Sequence, residues 1–131
     1  MSVFPSSEMA AQVFSTLFTV LLEDDDFVAR ARQEGLSVRL VHTKPDCEIF
    51  VSPQGGVRVG EEQAGPAAIT LRMSCDTAHA LWMGRLLVPV AIATGRLRIR
   101  GKVAKVLELV PMLRPAFDRY PDIAAAAGIG A

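Results

Sequence analysis

The chain has 131 residues, half of them hydrophobic, and its fourteen basic and fourteen acidic side chains cancel. That length suits one domain, residues 1–131, with a sizeable core, and the neutral balance removes the electrostatic basis for broad nucleic-acid binding. Two cysteines, Cys47 and Cys75, are too few for a disulfide framework and lie in apolar runs, which reads as buried reduced thiols.

Residues 6–22 have helical periodicity: Glu8, Gln12, Ser15, Thr19 and Glu23 share one face, and Met9, Val13, Leu17 and Leu21 the other, widened by Phe14 and Phe18. A second helix follows, with Asp24, Asp25 and Asp26 at its positive end, Arg30 and Arg32 at its negative end, and Gly35 stopping it. Period-two alternation then predicts strands over 36–43 and 47–52, turning at Lys44-Pro45-Asp46. Gln54-Gly55-Gly56 turns into a third strand over 56–60, and residues 60–66 read as a polar loop. A fourth strand is predicted over 67–75.

Asp76 is the expected cap of a helix over Thr77–Met83 that Gly84 ends, and Pro89 suits the first turn of another that Gly95 ends. Arg96-Leu97-Arg98-Ile99-Arg100 reads as a fifth strand with its arginines outward. From Lys102 an apolar helix runs to Leu113, and Pro111 should interrupt it. Residues 115–124 extend it as an irregular or helical segment, and disorder is expected within 121–131. The first 22 residues carry no Lys or Arg and several polar interruptions, unlike a secretory leader or a membrane span. The chain ends Ile129-Gly130-Ala131, without a peroxisomal address. Cytoplasm is the expected location.

Helices, four strands, two short helices, a Gly-flanked fifth strand and an apolar helix: this order resembles the sterol carrier protein type-two domain. The resemblance rests on Thr70-Leu71-Arg72-Met73, on Asp76 before the helix ending at Gly84, and on Thr94-Gly95-Arg96-Leu97-Arg98-Ile99-Arg100-Gly101. The family commonly has an aspartate after the second glycine, where this chain has Lys102, so the next helix loses its usual cap. The resemblance spans roughly 8–120. It implies an α+β fold: a five-stranded mixed sheet with helices covering one face and an apolar tunnel between them. It further implies binding of sterols, fatty acids, fatty acyl-coenzyme A or phospholipids, and service to quinone synthesis in some members. No catalytic residues carry over.

The candidate tunnel lining is the set of apolar helical stripes: Phe14, Leu17, Phe18, Leu81, Trp82, Met83, Leu86, Val90, Val106, Val110, Leu113 and Phe117. For any one of these residues, ordinary core packing is the simpler reading. Arg96, Arg98 and Arg100 form a basic row. Guarding an edge strand against aggregation explains them more simply than attraction to anionic lipid or coenzyme A. His42 and Cys47 should face each other across a hairpin mouth, but nothing identifiable orients them as base and nucleophile. Metal-ligand spacings, phosphate loops and paired carboxylates are missing from the sequence, so neither metal nor cofactor is expected.

The leading expectation is therefore a non-enzymatic binder or carrier of a hydrophobic small molecule, with transient membrane contact and an oligomer as further expectations. The alternative is a protein-interaction or scaffold module using the same apolar groove, for example as an accessory to lipid or quinone metabolism. Retained lipid in the purified protein separates the two. An enzyme built on Cys47 and His42 is a distant third.

Overall fold

Ser6 starts the first helix, α1 (Ser7–Leu22), its Oγ accepting the Met9 N–H at 3.1 Å. The computed structural model describes residues 3–60 and 67–129. The polar loop expected over 60–66 therefore lies, after Gly60, outside the described residues. Asp24 caps the second helix, α2 (Asp25–Gln33), by accepting the Phe27 N–H at 2.8 Å.

Five strands follow the predicted alternation, some shortened at their ends: β1 (Val38–Thr43), β2 (Cys47–Ser52), β3 (Gly56–Val59), β4 (Ile69–Ser74) and β5 (Arg98–Arg100). They form one mixed sheet in the order β3-β2-β1-β4-β5. Only the β1–β4 pair is parallel, with Leu40 opposite Leu71 and His42 opposite Met73. Period two puts Leu40, His42, Ile49, Val51, Ile69 and Met73 on the same face, and all are buried. Arg39, Glu48 and Arg72 take the other face.

Helices cover the apolar face. The first, α1, packs across β2 and β3; α3 (Cys75–Trp82) packs on β1 and β4; α6 (Arg114–Ala126) lies against α1 and α3. The cap of α3 is Ser74 rather than Asp76: its Oγ accepts the Thr77 N–H at 3.0 Å, while Asp76 accepts the Val3 N–H at 2.9 Å. The capping carboxylate expected from sequence thus stands two places too far along the chain. A short helix, α4 (Val88–Ala93), leads into β5. Gly101 closes that strand at φ 122, where an added Cβ would stand 2.9 Å from the Ala68 carbonyl oxygen. Only glycine fits there.

The last predicted helix is broken. It begins as α5 (Val103–Leu109), whose N-terminal residue Lys102 supplies no side-chain cap, and passes through a 3-10 turn at Val110–Leu113 containing Pro111 before α6. None of the residues of α5 or of that turn is fully buried. Lys105 ties α5 to the end of α2 through Glu34 at 3.2 Å, and that hydrogen bond holds the Glu34 carboxyl below its usual range. The expected disorder from 121 onward is not what the structure has over 121–129. Helix α6 runs to Ala126, Ala124 and Ile129 are buried, and the Ile129 N–H donates to the Ala124 carbonyl at 2.9 Å. An alanine-rich run holds helix well, and Ile129 gains by burial.

Candidate functional site

The apolar stripe of α1 meets two different environments along its length. At its middle Phe14 stacks flat on His42, with centroids 4.5 Å apart and planes 3° apart, and lies 6.4 Å from the Tyr120 ring. Phe14, Leu17 and Tyr120 have no exposed surface. This half is solid core, closed by α6. Toward its end Phe18 and Leu21 face Phe27, the strand residues Val38, Leu40, Val51, Ile69 and Leu71, and Val106 and Leu109 of α5. Together with Trp82 and Leu113 they line an apolar cavity of about 100 Å³.

A second cavity of about 60 Å³ adjoins it, sharing Leu40, Leu71, Trp82, Val106 and Leu113 and adding Met73, Leu81, Val88, Leu97, Val110 and Phe117. Trp82 stands between them, edge-on to Phe18 at 5.8 Å and tilted on Phe117 at 5.2 Å. Every lining side chain is apolar. The sheet is the floor, α1, α2 and α3 are side walls, and α5 with the Val110–Leu113 turn is the roof.

Of the residues picked from sequence, Phe18, Leu81, Trp82, Val106, Val110, Leu113 and Phe117 come together around these cavities. Phe14 and Leu17 do not reach them. Met83 and Leu86 are half-buried outside both, and Val90 is 46% exposed. In α4 it is Val88 that lines the cavity and Ala91 that is buried. The floor residues Val38, Leu40, Val51, Ile69 and Leu71 are not among those picked from sequence, although period-two alternation sets them on the inner face. It also missed Phe27, the buried aromatic of α2.

The hairpin pair is neighbouring in space, as its spacing implied: His42 lies opposite Cys47 in register, and its Nδ1–H donates to the Cys47 carbonyl at 3.0 Å. That bond fixes the tautomer and leaves Nε2 as the bare nitrogen. Burial pushes His42 down to about 4 and the Cys47 thiol up to about 11. Cys75 is driven further, to about 12, chiefly by burial, and its thiol donates to the Pro45 carbonyl at 3.2 Å. At neutral pH these are neutral thiols beside a neutral imidazole, the reverse of an activated nucleophile. His79 and Tyr120 form a second buried pair, with Nδ1 and the phenol oxygen 2.7 Å apart. Burial raises the Tyr120 hydroxyl above its ordinary range.

A larger, open cleft of about 500 Å³ lies at the hairpin itself, lined by His42, Thr43, Asp46, Cys47 and Glu48 together with Glu8 and Arg72. Its charged rim and openness fit a solvated surface, and the two smaller apolar cavities fit apolar cargo better. Among the described residues, no helix is long and apolar enough to cross a membrane.

Residues 14–114 match the family described as the SCP-2 sterol transfer family. No curated protein matches the chain. Among solved structures, sterol carrier protein 2 from Yarrowia lipolytica in its apo form has a TM-score of 0.65 at 17% identity, over 90% of this chain and 99% of that one. Sterol carrier protein 2 from Aedes aegypti, solved in complex with the C16 fatty acid palmitate, has a TM-score of 0.63 at 20% identity, over 82% and 96%. A ubiquinone synthesis protein, UbiJ-SCP2, has 0.58 at 23%, over 82% and 94%. At such identities the likeness establishes the fold.

Proposed function

The chain belongs to the SCP-2 sterol transfer family, and from that premise we propose that it binds and carries a hydrophobic small molecule in the apolar space beneath α5, without catalysing a reaction. One observation carries the reading: adjoining cavities with wholly apolar linings, roofed by a segment in which no residue is fully buried. Close packing normally eliminates such voids. Each methylene moved there from water contributes about 0.8 kcal/mol, so a long chain is held without polar recognition.

The cavities, about 100 and 60 Å³, are smaller than the roughly 300–1,000 Å³ usual for a ligand pocket. They are smaller, too, than the lipid-sized tunnel that the sequence leads one to expect. Cargo therefore enters by lifting the roof. Helix α5 is suited to this: its N-terminus is uncapped, Pro111 breaks its far end, and a half-exposed ion pair through Lys105 holds its middle. The palmitate complex of the Aedes relative makes a fatty acid the first ligand to assay. The ubiquinone synthesis protein of the same fold makes a polyprenyl quinone the second. Silent thiols at Cys47 and Cys75 support a carrier over an enzyme. Loading and unloading imply transient contact with a membrane.

Native mass spectrometry of the protein purified from its own cells tests the reading. A mass increment that extracts into organic solvent as lipid is expected. A lipid-free mass with a stoichiometric protein partner would replace the carrier with a scaffold.

A further inference from the structure

The lining of the two cavities holds a hydrocarbon chain but offers nothing to a polar end. A charged group buried there would stand without a partner, so it must come to rest at the rim. Of the residues lining the larger cavity, Val38, Leu71, Val106, Leu109 and Leu113 are half-buried and the rest are fully buried. The cavity is therefore nearest to solvent along α5 and at the start of β1, just beyond the end of α2.

An ion pair crosses that seam. Lys105 of α5 reaches Glu34, which follows the last turn of α2, with Nζ 3.2 Å from Oε2. Among the described residues no other ion pair ties the roof to a wall. Both partners share a helix side with the lining: Lys105 precedes Leu109 by four residues, and Glu34 follows Phe27 by seven. Val106, which lines both cavities, is the residue after Lys105. Lys105 is also half-buried, whereas Lys102 and Arg114, the cations at the two ends of the roof, are exposed.

The pair has the composition needed for exchange. Glu34 is held from two sides, by Arg30 of its own helix at 3.4 Å from Oε1 and by Lys105 at Oε2. If another carboxylate takes Lys105, Glu34 keeps Arg30, and no charge is left bare in the seam. A neutral head group permits no such exchange, because it either leaves the pair closed or breaks it without replacement.

We propose that Lys105 is the head-group site of the cavity, that its ligand is a single-chain amphiphile ending in a carboxylate, and that this carboxylate displaces Glu34. The chain lies beneath α5 and its acid end emerges between α5 and α2. Displacement releases the ionic tie on the roof, so the ligand that fits the site is also the one that opens it. A neutral sterol or quinone lacks the group for this step. The assignment rests on the carrier reading, and the experiment separates the two.

The test titrates the full chain with dodecanoate and with dodecanol, one chain length with two head groups. At about pH 8 the acid is ionised and lysine protonated. Emission of Trp82, which lines both cavities, reports binding. The readout is the acid-to-alcohol affinity ratio of each variant relative to the parent, in which the ligands' own solubilities cancel. Lys105→Met should lower that ratio about fivefold, the scale of a partly exposed ion pair, and Lys105→Arg should keep it. Glu34→Gln removes the competing carboxylate and should raise the ratio by a similar factor. Lys102→Met, three residues away and exposed, should leave it unchanged, and circular dichroism checks each fold. A pair that merely latches the roof would change both affinities together. An unchanged ratio in Lys105→Met and Glu34→Gln therefore overturns the proposal, as does an equal drop in Lys102→Met. If the parent binds neither ligand, the carrier reading fails and takes this site with it; if it binds both and the ratio ignores Lys105, the head-group site alone is refuted.

Discussion

Val106 lines both cavities from the roof and is only half-buried. Replacing it with phenylalanine puts a ring into a void of about 100 Å³, where it excludes cargo. If the ring displaces about three methylenes of a bound chain, at about 0.8 kcal/mol each, affinity falls by about 2.4 kcal/mol, or roughly 60-fold. The fold should lose less than about 1.5 kcal/mol, because existing empty space takes the added volume. Titration with a fluorescent fatty acid, beside a thermal melt, measures both effects. Leu17→Ala is the contrasting change. Leu17 is completely buried in solid core, so its truncation should cost about 2–5 kcal/mol of stability and spare the affinity of the folded fraction. A folded Val106→Phe protein with the parent's affinity would refute the placement of cargo under α5.

Tyr120→Phe removes the hydroxyl that lies 2.7 Å from His79 in a buried site, and should lower stability by about 1–3 kcal/mol in a denaturant melt; an unchanged midpoint would show that the pair contributes nothing. Stability should also depend on pH through His42. Burial holds its folded value near 4 against 6.5, so the unfolded chain takes up the proton first. The contribution is therefore full above about pH 6.5 and lost as pH falls toward 4, on the order of 3 kcal/mol. Denaturant midpoints across that window should fall, and the His42 ring should stay neutral by NMR until near its lower end. A midpoint near 6.5 for the ring would contradict its burial.

Much of this architecture is legible in local chemistry. Alternation in 38–43 and 47–52, and glycines that adopt positive φ at 35, 84 and 95, mark where elements run and stop. What local pattern cannot tell is which part of a stripe meets a void. Phe14, Leu17 and Phe18 are equivalent by periodicity, yet Phe14 lies against Tyr120 of α6, Leu17 is buried outside both cavities, and Phe18 faces α5. That difference depends on where α6 crosses α1, a tertiary fact. Helix α4 has six residues, too few to fix its phase, so Val90 looked inward and Val88 turned out to be the inner residue. The capping of α3 failed for a simpler reason: Ser74 and Asp76 are both good caps, and the strand's end decided between them. The tail from 121 read as frayed because alanines carry no directional signal, whereas α1 and α3 give α6 a surface to bury against.

Trp82 is the chain's one tryptophan, and its indole forms part of the wall of both cavities. A titration of the protein with palmitate, following Trp82 emission, therefore reads the central claim without any label. The account predicts a saturable change at one palmitate per chain, stronger quenching by a fatty acid brominated along its tail, and loss of both in Val106→Phe. Emission that stays constant through the titration, or quenching that survives intact in Val106→Phe, would contradict it.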